Sequence, residues 1–459
     1  MRFFVLAVVM VFSRPALADS IDAATGLQPT NIVTGVNGVT DLRFLPDGRL
    51  IFTEKSGAAK VRQDDGTLKV MRQFPVDTQS EKGLLGLEVD PQFTTTRRLF
   101  FYYSRTNANG GTDLNRHRVV SMALNTDDTL DEASEHVLVE NLRGPANHDG
   151  GALAIGPDGK LYIGVGDTGC NCSCAPGQGT NTFGTCLTNG NGKILRVNLD
   201  GSIPDDNPLV NETMVTACGN NCTDAVSSTH LAAPRKDIWA WGFRNPWRIS
   251  FDAQTGNLWV GDVGEITWEE LNIVKKGKHY GWPHREGHEG KAPSSCTNVT
   301  AQSGDCVDPV WACNQSEGNC SSITGGVFVD SVRWPAQWRG HYFFADGATG
   351  YLSVLTVNAT RDAPLGDNPR FVLGRITGGQ VPVALRLGPG GDIYIAGYGT
   401  QGGRIIRLSP AEPLPDVDGG TGGVLPGESK PCGCTVTPLT WLALLGALFA
   451  ARVWKRRAL

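Results

Sequence analysis

The chain has 459 residues, 41 Lys and Arg against 46 Asp and Glu, and a formal net charge of −5. Mixed signs at that balance leave no electrostatic footprint for nucleic acid. Short apolar runs between clusters of Gly, Pro, Asn and Asp, with 58 Gly and 26 Pro in all, argue for an all-β protein with ample core material.

Met1-Arg2, then Phe3–Phe12, then Ala16-Leu17-Ala18 combine a basic start, an apolar stretch and an A-x-A-like site. They read as a signal peptide over 1–18, with the folded body over 19–408. Export also makes the cysteines legible, because thiols outside the cytoplasm oxidise. Ten of the 12 cysteines lie in the body, in long polar insertions: Cys170, Cys172, Cys174, Cys186, Cys218, Cys222, Cys296, Cys306, Cys313 and Cys320. They read as disulfides that staple loops, with the pairing left open. A soft metal on the Cys170, Cys172, Cys174 triplet is the weaker alternative, since no His stands near it.

One hairpin type recurs along the body. Leu42–Phe52 turns at Pro46-Asp47-Gly48, Gly83–Tyr103 after Asp90-Pro91, and Ala152–Val165 at Pro157-Asp158-Gly159. Trp247–Val260 turns at Asp252–Gly256, a weaker copy lies around Gly325–Phe344, and Ala384–Ile395 turns at Gly388–Gly391. Units too small to bury their own apolar faces must stack, and six of them predict a six-bladed β-propeller with disulfide-stapled loop insertions.

Radial stacking would put the open ends of the hairpins on one face. Folding the third hairpin about Pro157 sets His148 against Asp167, an imidazole beside a carboxylate that can orient it and raise its basicity. Counting back the same distance in the other hairpins adds Asn37, Glu54 and Lys55, then Glu81, then Arg244 and Asn245 with Gly264 and Glu265, and finally Gln380. Such a rim suits a polar, hydroxyl-rich ligand. Within the block from Asp237 to Pro283, Pro246 holds Asn245 extended. Arg244 is a planar cation suited to an oxyanion or carbonyl. Tyr280 and Trp282 are candidates either to stack on a ligand or to fill the core, the latter being the reading for Trp239 and Trp241.

Residues 409–431 form a Pro/Gly-rich linker. Within 432–459, Cys432-Gly433-Cys434 precedes an apolar stretch from Leu439 to Trp454 and then Lys455-Arg456-Arg457. This order resembles the C-terminal surface-sorting tags of myxobacteria; a permanent anchor is the alternative, although the stretch is short of the roughly 20 residues a span needs.

Gly83-Leu84-Leu85-Gly86-Leu87, the His148 hairpin, Gly242-Phe243-Arg244-Asn245-Pro246 and Asn272 with Gly281-Trp282-Pro283 together resemble the glucose/sorbosone dehydrogenase family. Its best-known members are soluble sugar dehydrogenases using pyrroloquinoline quinone (PQQ) and calcium, and the hedgehog-interacting protein is a related branch. The resemblance implies a six-bladed propeller in which His148 is the general base, Asp167 its support, and Arg244 and Asn245 contacts to PQQ. It implies calcium on the main-chain carbonyls of Gly264 and Glu265, with Glu81 and Gln380 completing the cofactor rim. Against that pattern, Glu81 stands where the dehydrogenases have glutamine, and Glu265 where they have proline. Ala348, and positions near Val381 and Val383, stand where they have cations.

The reading that follows is an exported quinone-dependent dehydrogenase of a sugar or related polyol-aldehyde, with an electron acceptor as partner and membrane contact only through the tail. The alternative is a non-catalytic propeller binding a surface carbohydrate or a protein. A metal-dependent lactonase built on Glu54, Glu81, Asp167 and Glu265 is a third.

Overall fold

The computed structural model describes residues 19–106, 116–144, 147–169, 181–217, 231–290, 306–399 and 402–411. The leader, the tail from residue 412 and six cysteines of the insertions (Cys170, Cys172, Cys174, Cys218, Cys222 and Cys296) lie outside the described residues.

Among the described residues, six antiparallel sheets of four or five strands follow one another along the chain, beside two small two-stranded ribbons. Blade I comprises Val39–Phe44, Leu50–Glu54, Ala58–Arg62 and Leu68–Gln73. Blade II comprises Leu84–Val89, Arg98–Ser104, Arg116–Ala123 and His136–Arg143. Blade III comprises Ala152–Ile155, Leu161–Val165, Lys193–Val197 and Ile238–Trp241. Blade IV comprises Pro246–Phe251, Leu258–Asp262, Trp268–Val274 and Trp311–Asn314. Blade V comprises Ile323–Val329, His341–Asp346, Tyr351–Leu355 and Arg370–Arg375, and Ser20–Ile21 adds an outer fifth strand. Blade VI comprises Gln380–Leu387, Ile393–Gly399 and Gly403–Pro410, and its outer strand is the N-terminal Leu27–Val36.

Each predicted hairpin is the first strand pair of a blade. The first strand of every blade packs against the first strand of the next, and blade VI returns to blade I, so these six strands line the axis. Period-2 alternation explains the stacking, since successive side chains leave a strand on opposite faces and each blade feeds two interfaces. In blade I, Ile51 enters the core shared with blade II, whereas Phe52 enters the core shared with blade VI. The six apolar clusters are the six blade-to-blade seams. The ring closes because the N-terminal strand pairs with the last strand of the chain, which ties both ends of the fold into one sheet.

Cys313 and Cys320 are joined in a disulfide, and Cys186 and Cys306 are also disulfide-bonded, in keeping with stapled insertions. Among the described residues no helix is long and apolar enough to cross a membrane.

Candidate functional site

The inner strands run in the same sense around the axis, so the residues just before them meet at one mouth. Hydrogen bonds between blades prove the convergence. Glu81 Oε2, before blade II, accepts from the Asp149 N–H at 3.3 Å, before blade III, and from Asn245 Nδ2 at 3.4 Å, before blade IV. Asn245 Oδ1 accepts in turn from the Gly150 N–H at 3.1 Å. The entrances to blades II, III and IV are therefore tied to one another.

His148 sits at the entrance to blade III with φ +52°, a left-handed conformation that costs a non-glycine residue roughly 1–2 kcal/mol. The turn is enforced from below: a Cβ at Gly166 would lie 1.9 Å from the His148 carbonyl oxygen, so only glycine permits the approach. The turn presents His148 Nδ1 to Asp167 Oδ1 at 2.6 Å. Asp167 is buried, and its second oxygen accepts from Trp282 Nε1 at 2.6 Å while Oδ1 also accepts from the Gly169 N–H at 2.9 Å. Burial alone pushes the Asp167 carboxyl up. The His148 imidazole, and then the Arg244 charge, outweigh burial and hold it below the ordinary carboxylate range. An ionised Asp167 fixes the proton on Nδ1, which leaves Nε2 as the nitrogen able to accept one.

Arg244 joins the pair through its backbone, its carbonyl accepting from the Asp167 N–H at 2.8 Å. Its Nη1 donates to the Val263 carbonyl at 3.0 Å, and the guanidinium lies 5.5 Å from the Trp282 ring centre. Arg244 Nε is buried with no partner among the described residues. Six other arginines share such an Nε, but Arg244 is the one beside His148 and Asp167, where a spare donor can meet an acceptor at the mouth. The strand entrance is braced by Asp262, whose two oxygens accept the N–H groups of Arg244 at 3.0 Å and Asn245 at 2.7 Å.

The remaining sequence candidates fall into two groups. Asn37 reaches Glu54, but Glu54 is buried and paired with Lys60 at 2.6 Å, so it serves blade I and not the opening. Gln380 opens the inner strand of blade VI, with its amide on the Gly402 carbonyl at 3.2 Å. Gly264 and Glu265 lie on a loop after the second strand of blade IV. The N–H groups from Glu265 to Trp268 all donate to Glu286 Oε1, at 2.6–3.3 Å, which holds that loop in one shape. Backbone carbonyls on a fixed loop are the hard oxygen donors calcium prefers. Among the described residues no group of three or more His, Cys, Asp or Glu could hold a metal. Tyr280 is core, stacked on Phe243 at 4.7 Å between ring centres. Trp282 is also buried, and its ring nitrogen serves Asp167, a role its sequence motif did not reveal. The Asp149 side chain, which binds buried His117, was likewise missed; an isolated His between two arginines carries no signal.

A family model described as glucose/sorbosone dehydrogenase matches residues 37–407. The chain belongs to that family. Among relatives, the quinoprotein glucose dehydrogenase B of Acinetobacter calcoaceticus is 29% identical over 346 residues, which cover 71% of this chain and 65% of that enzyme. The aldose sugar dehydrogenase YliI of Escherichia coli is 25% identical over 380 residues, 80% of this chain and 89% of that one. The PQQ-bound aldose sugar dehydrogenase of Streptomyces coelicolor superposes with a TM-score of 0.62 at 20% identity, over 85% of this chain and 99% of that structure, which shows the shared propeller. Within the glucose/sorbosone dehydrogenase fold, Val383 is buried at the seam between blades VI and I and Val381 packs beside it, so no charge stands at either place.

Proposed function

We propose that the protein is an exported quinone-dependent dehydrogenase that oxidises a sugar or related polyol-aldehyde. The observation that carries this reading is the His148–Asp167–Trp282 chain beside Arg244 in a propeller mouth, within a family of sugar dehydrogenases. PQQ, when bound, supplies a two-electron acceptor for hydride, with calcium on the Gly264 and Glu265 carbonyls to polarise it. The residues of this chain do the rest. His148 Nε2 takes the proton of the sugar hydroxyl as the carbon beneath it gives up hydride. Asp167 steadies the imidazolium that results, and Trp282 keeps Asp167 aimed. Arg244 turns its unpartnered Nε–H toward the oxygen on which negative charge grows.

Reconstitution with PQQ and calcium, followed by dye-linked assays on a panel of aldoses, tests the proposal. Reduction of dye by at least one aldose is expected, and saturating PQQ that is never taken up would remove the redox half.

A second reading rests on the uncharged Ala348, Val381 and Val383. In it the mouth binds a surface carbohydrate or protein partner without chemistry, and the tail from residue 432 holds the protein at the cell surface. Glycan binding that survives His148→Ala would favour it.

A further inference from the structure

The loop after the second strand of blade IV takes its shape from another part of the chain. No side chain from Val263 to Thr267 is buried, and Ile266 is 73% exposed, so packing does not fix its course. One carboxylate does. Glu286 is buried, and its Oε1 accepts the N–H groups of Glu265 at 2.6 Å, Ile266 at 3.0 Å, Thr267 at 3.1 Å and Trp268 at 3.3 Å. Successive N–H groups turned inward make a concave nest for an anion, and here a side chain of the same protein fills it.

A trans peptide group points its N–H and its C=O in opposite directions. The Glu265 N–H shares a peptide group with the Gly264 carbonyl, and the Ile266 N–H shares one with the Glu265 carbonyl. Drawing both N–H groups onto Glu286 therefore turns both carbonyls away from it. The flanking peptide groups obey the same rule. Before them, the Gly264 N–H goes to Glu269 Oε2 at 3.3 Å while the Val263 carbonyl, on the opposite side, accepts from Arg244 Nη1 at 3.0 Å. After them, the Trp268 N–H goes to Glu286 while the Thr267 carbonyl accepts from the Gln315 N–H at 2.9 Å. A Cβ at Gly264 would lie 1.7 Å from the Trp268 carbonyl oxygen, so only glycine allows the loop this course.

Glu286 is carried in by the segment that also serves the base. Trp282, four positions earlier, holds Asp167, and the Gly281 carbonyl accepts the N–H groups of His284 at 2.8 Å and Arg285 at 2.9 Å, which makes a tight turn. Arg285–Glu286 then pairs with Glu289–Gly290, and the Gly287 N–H donates to Glu270 Oε1 at 2.5 Å.

We propose that Glu286 is a positioning residue for a divalent cation: by holding the N–H edge of two peptide groups it aims the carbonyls of Gly264 and Glu265, and so sets how tightly they hold calcium. Glu286 acts through the backbone and not as a ligand. Calcium and its partnership with a quinone rest on the proposed dehydrogenase function; the bracing of the loop does not.

Hydrogen exchange on the cofactor-free protein reads the brace. The amides of residues 265–268 should be protected in the wild type and in Glu286→Gln, whose side chain still offers a carbonyl oxygen. They should exchange about tenfold faster or more in Glu286→Ala. Calcium titration at fixed PQQ, followed by quinone uptake, reads the cation. Its midpoint should rise about 10–100-fold in Glu286→Ala and less in Glu286→Gln. Excess calcium should restore uptake in Glu286→Ala, which it would not do for a chain that had merely lost its fold. Unchanged protection of 265–268 in Glu286→Ala, or a wild-type calcium midpoint in that variant, would overturn the proposal alone. A wild type that takes up no quinone at any calcium concentration would overturn the dehydrogenase reading, and the cation role with it.

Discussion

At the turn end of the axis, Arg43, Arg248 and Arg386 gather around Asp41; at the open end, Arg244 stands beside Asp167. At the first end the guanidinium groups surround a buried carboxylate, and at the second Arg244 binds a backbone carbonyl over an indole ring. Arg386 grips both oxygens of Asp41 at 3.0 Å, Arg43 binds Asp41 at 3.0 Å and Glu88 at 2.9 Å, and Arg248 donates to the carbonyls of Thr40 at 2.6 Å and Trp247 at 2.7 Å. These donors answer the inner strands themselves. Arg43 and Arg386 line a cavity of about 510 Å³ to which all six blades contribute, together with Glu88, Ala154, Phe251 and Val327. Arg248 and Arg244 each leave a buried Nε–H with no acceptor among the described residues, but Arg248 lies beside the buried Asp41 carboxylate whereas Arg244 stands at the mouth. A guanidinium gathered round a buried anion holds a fold together, whereas one at an opening with a spare donor can also receive a ligand.

The comparison can be broken first at the mouth. His148→Ala should lower the rate of aldose-driven dye reduction by about 10²–10⁴-fold, the usual contribution of a positioned general base, with the melting temperature nearly unchanged. At the opposite end, Asp41→Asn should cost about 3–5 kcal/mol in denaturant melts, because it leaves three buried guanidinium groups short of an anion. Turnover per folded molecule should not change. Its pH signature has a definite sign. Burial opposes ionisation of Asp41, but Arg386, Arg43 and Arg248 together lower its carboxyl to about 2. The stability it contributes is then fully present above the ordinary aspartate value and is lost as the pH falls toward about 2. Asp41→Asn should lack that part of the acid transition.

Smaller effects sharpen the picture at the mouth. Asp167→Asn should reduce turnover about 10–100-fold, the range for losing a group that orients a catalytic imidazole. Asp167 is held below the ordinary carboxylate range, so its support for His148 should be complete at neutral pH and fail only in acid. Trp282→Phe removes one charge-assisted bond to Asp167 and should cost about 1.5 kcal/mol of stability, with a milder loss of turnover than Asp167→Asn.

How far the sequence alone reached follows from which contacts are local. The Pro157 turn, set between the two apolar runs, made His148 and Asp167 neighbours on paper, and Nδ1 and Oδ1 are 2.6 Å apart. Repetition of that hairpin disclosed six blades, because a two-residue period and a turn are read within one window. The bond from Trp282 to Asp167 spans 115 positions, and the Glu81 to Asn245 bond spans 164. Neither leaves any periodic trace. The closing of blade VI by Leu27–Val36 was equally hidden, since its partner Gly403–Pro410 is at the other end of the fold. Glu54 read as a rim residue by counting, yet Lys60, on the next strand, draws it inward. His117 was invisible for a different reason: its meaning lies wholly in what it touches.

Single-turnover reduction of bound quinone by an aldose, followed by its absorbance in wild type and in His148→Ala, tests the central claim most directly. Wild-type protein loaded with PQQ and calcium should bleach the oxidised quinone on mixing with sugar, and the variant should bind the quinone yet leave it oxidised. Equal rates in the two proteins would contradict the assignment of His148 as the base on which the mouth is built.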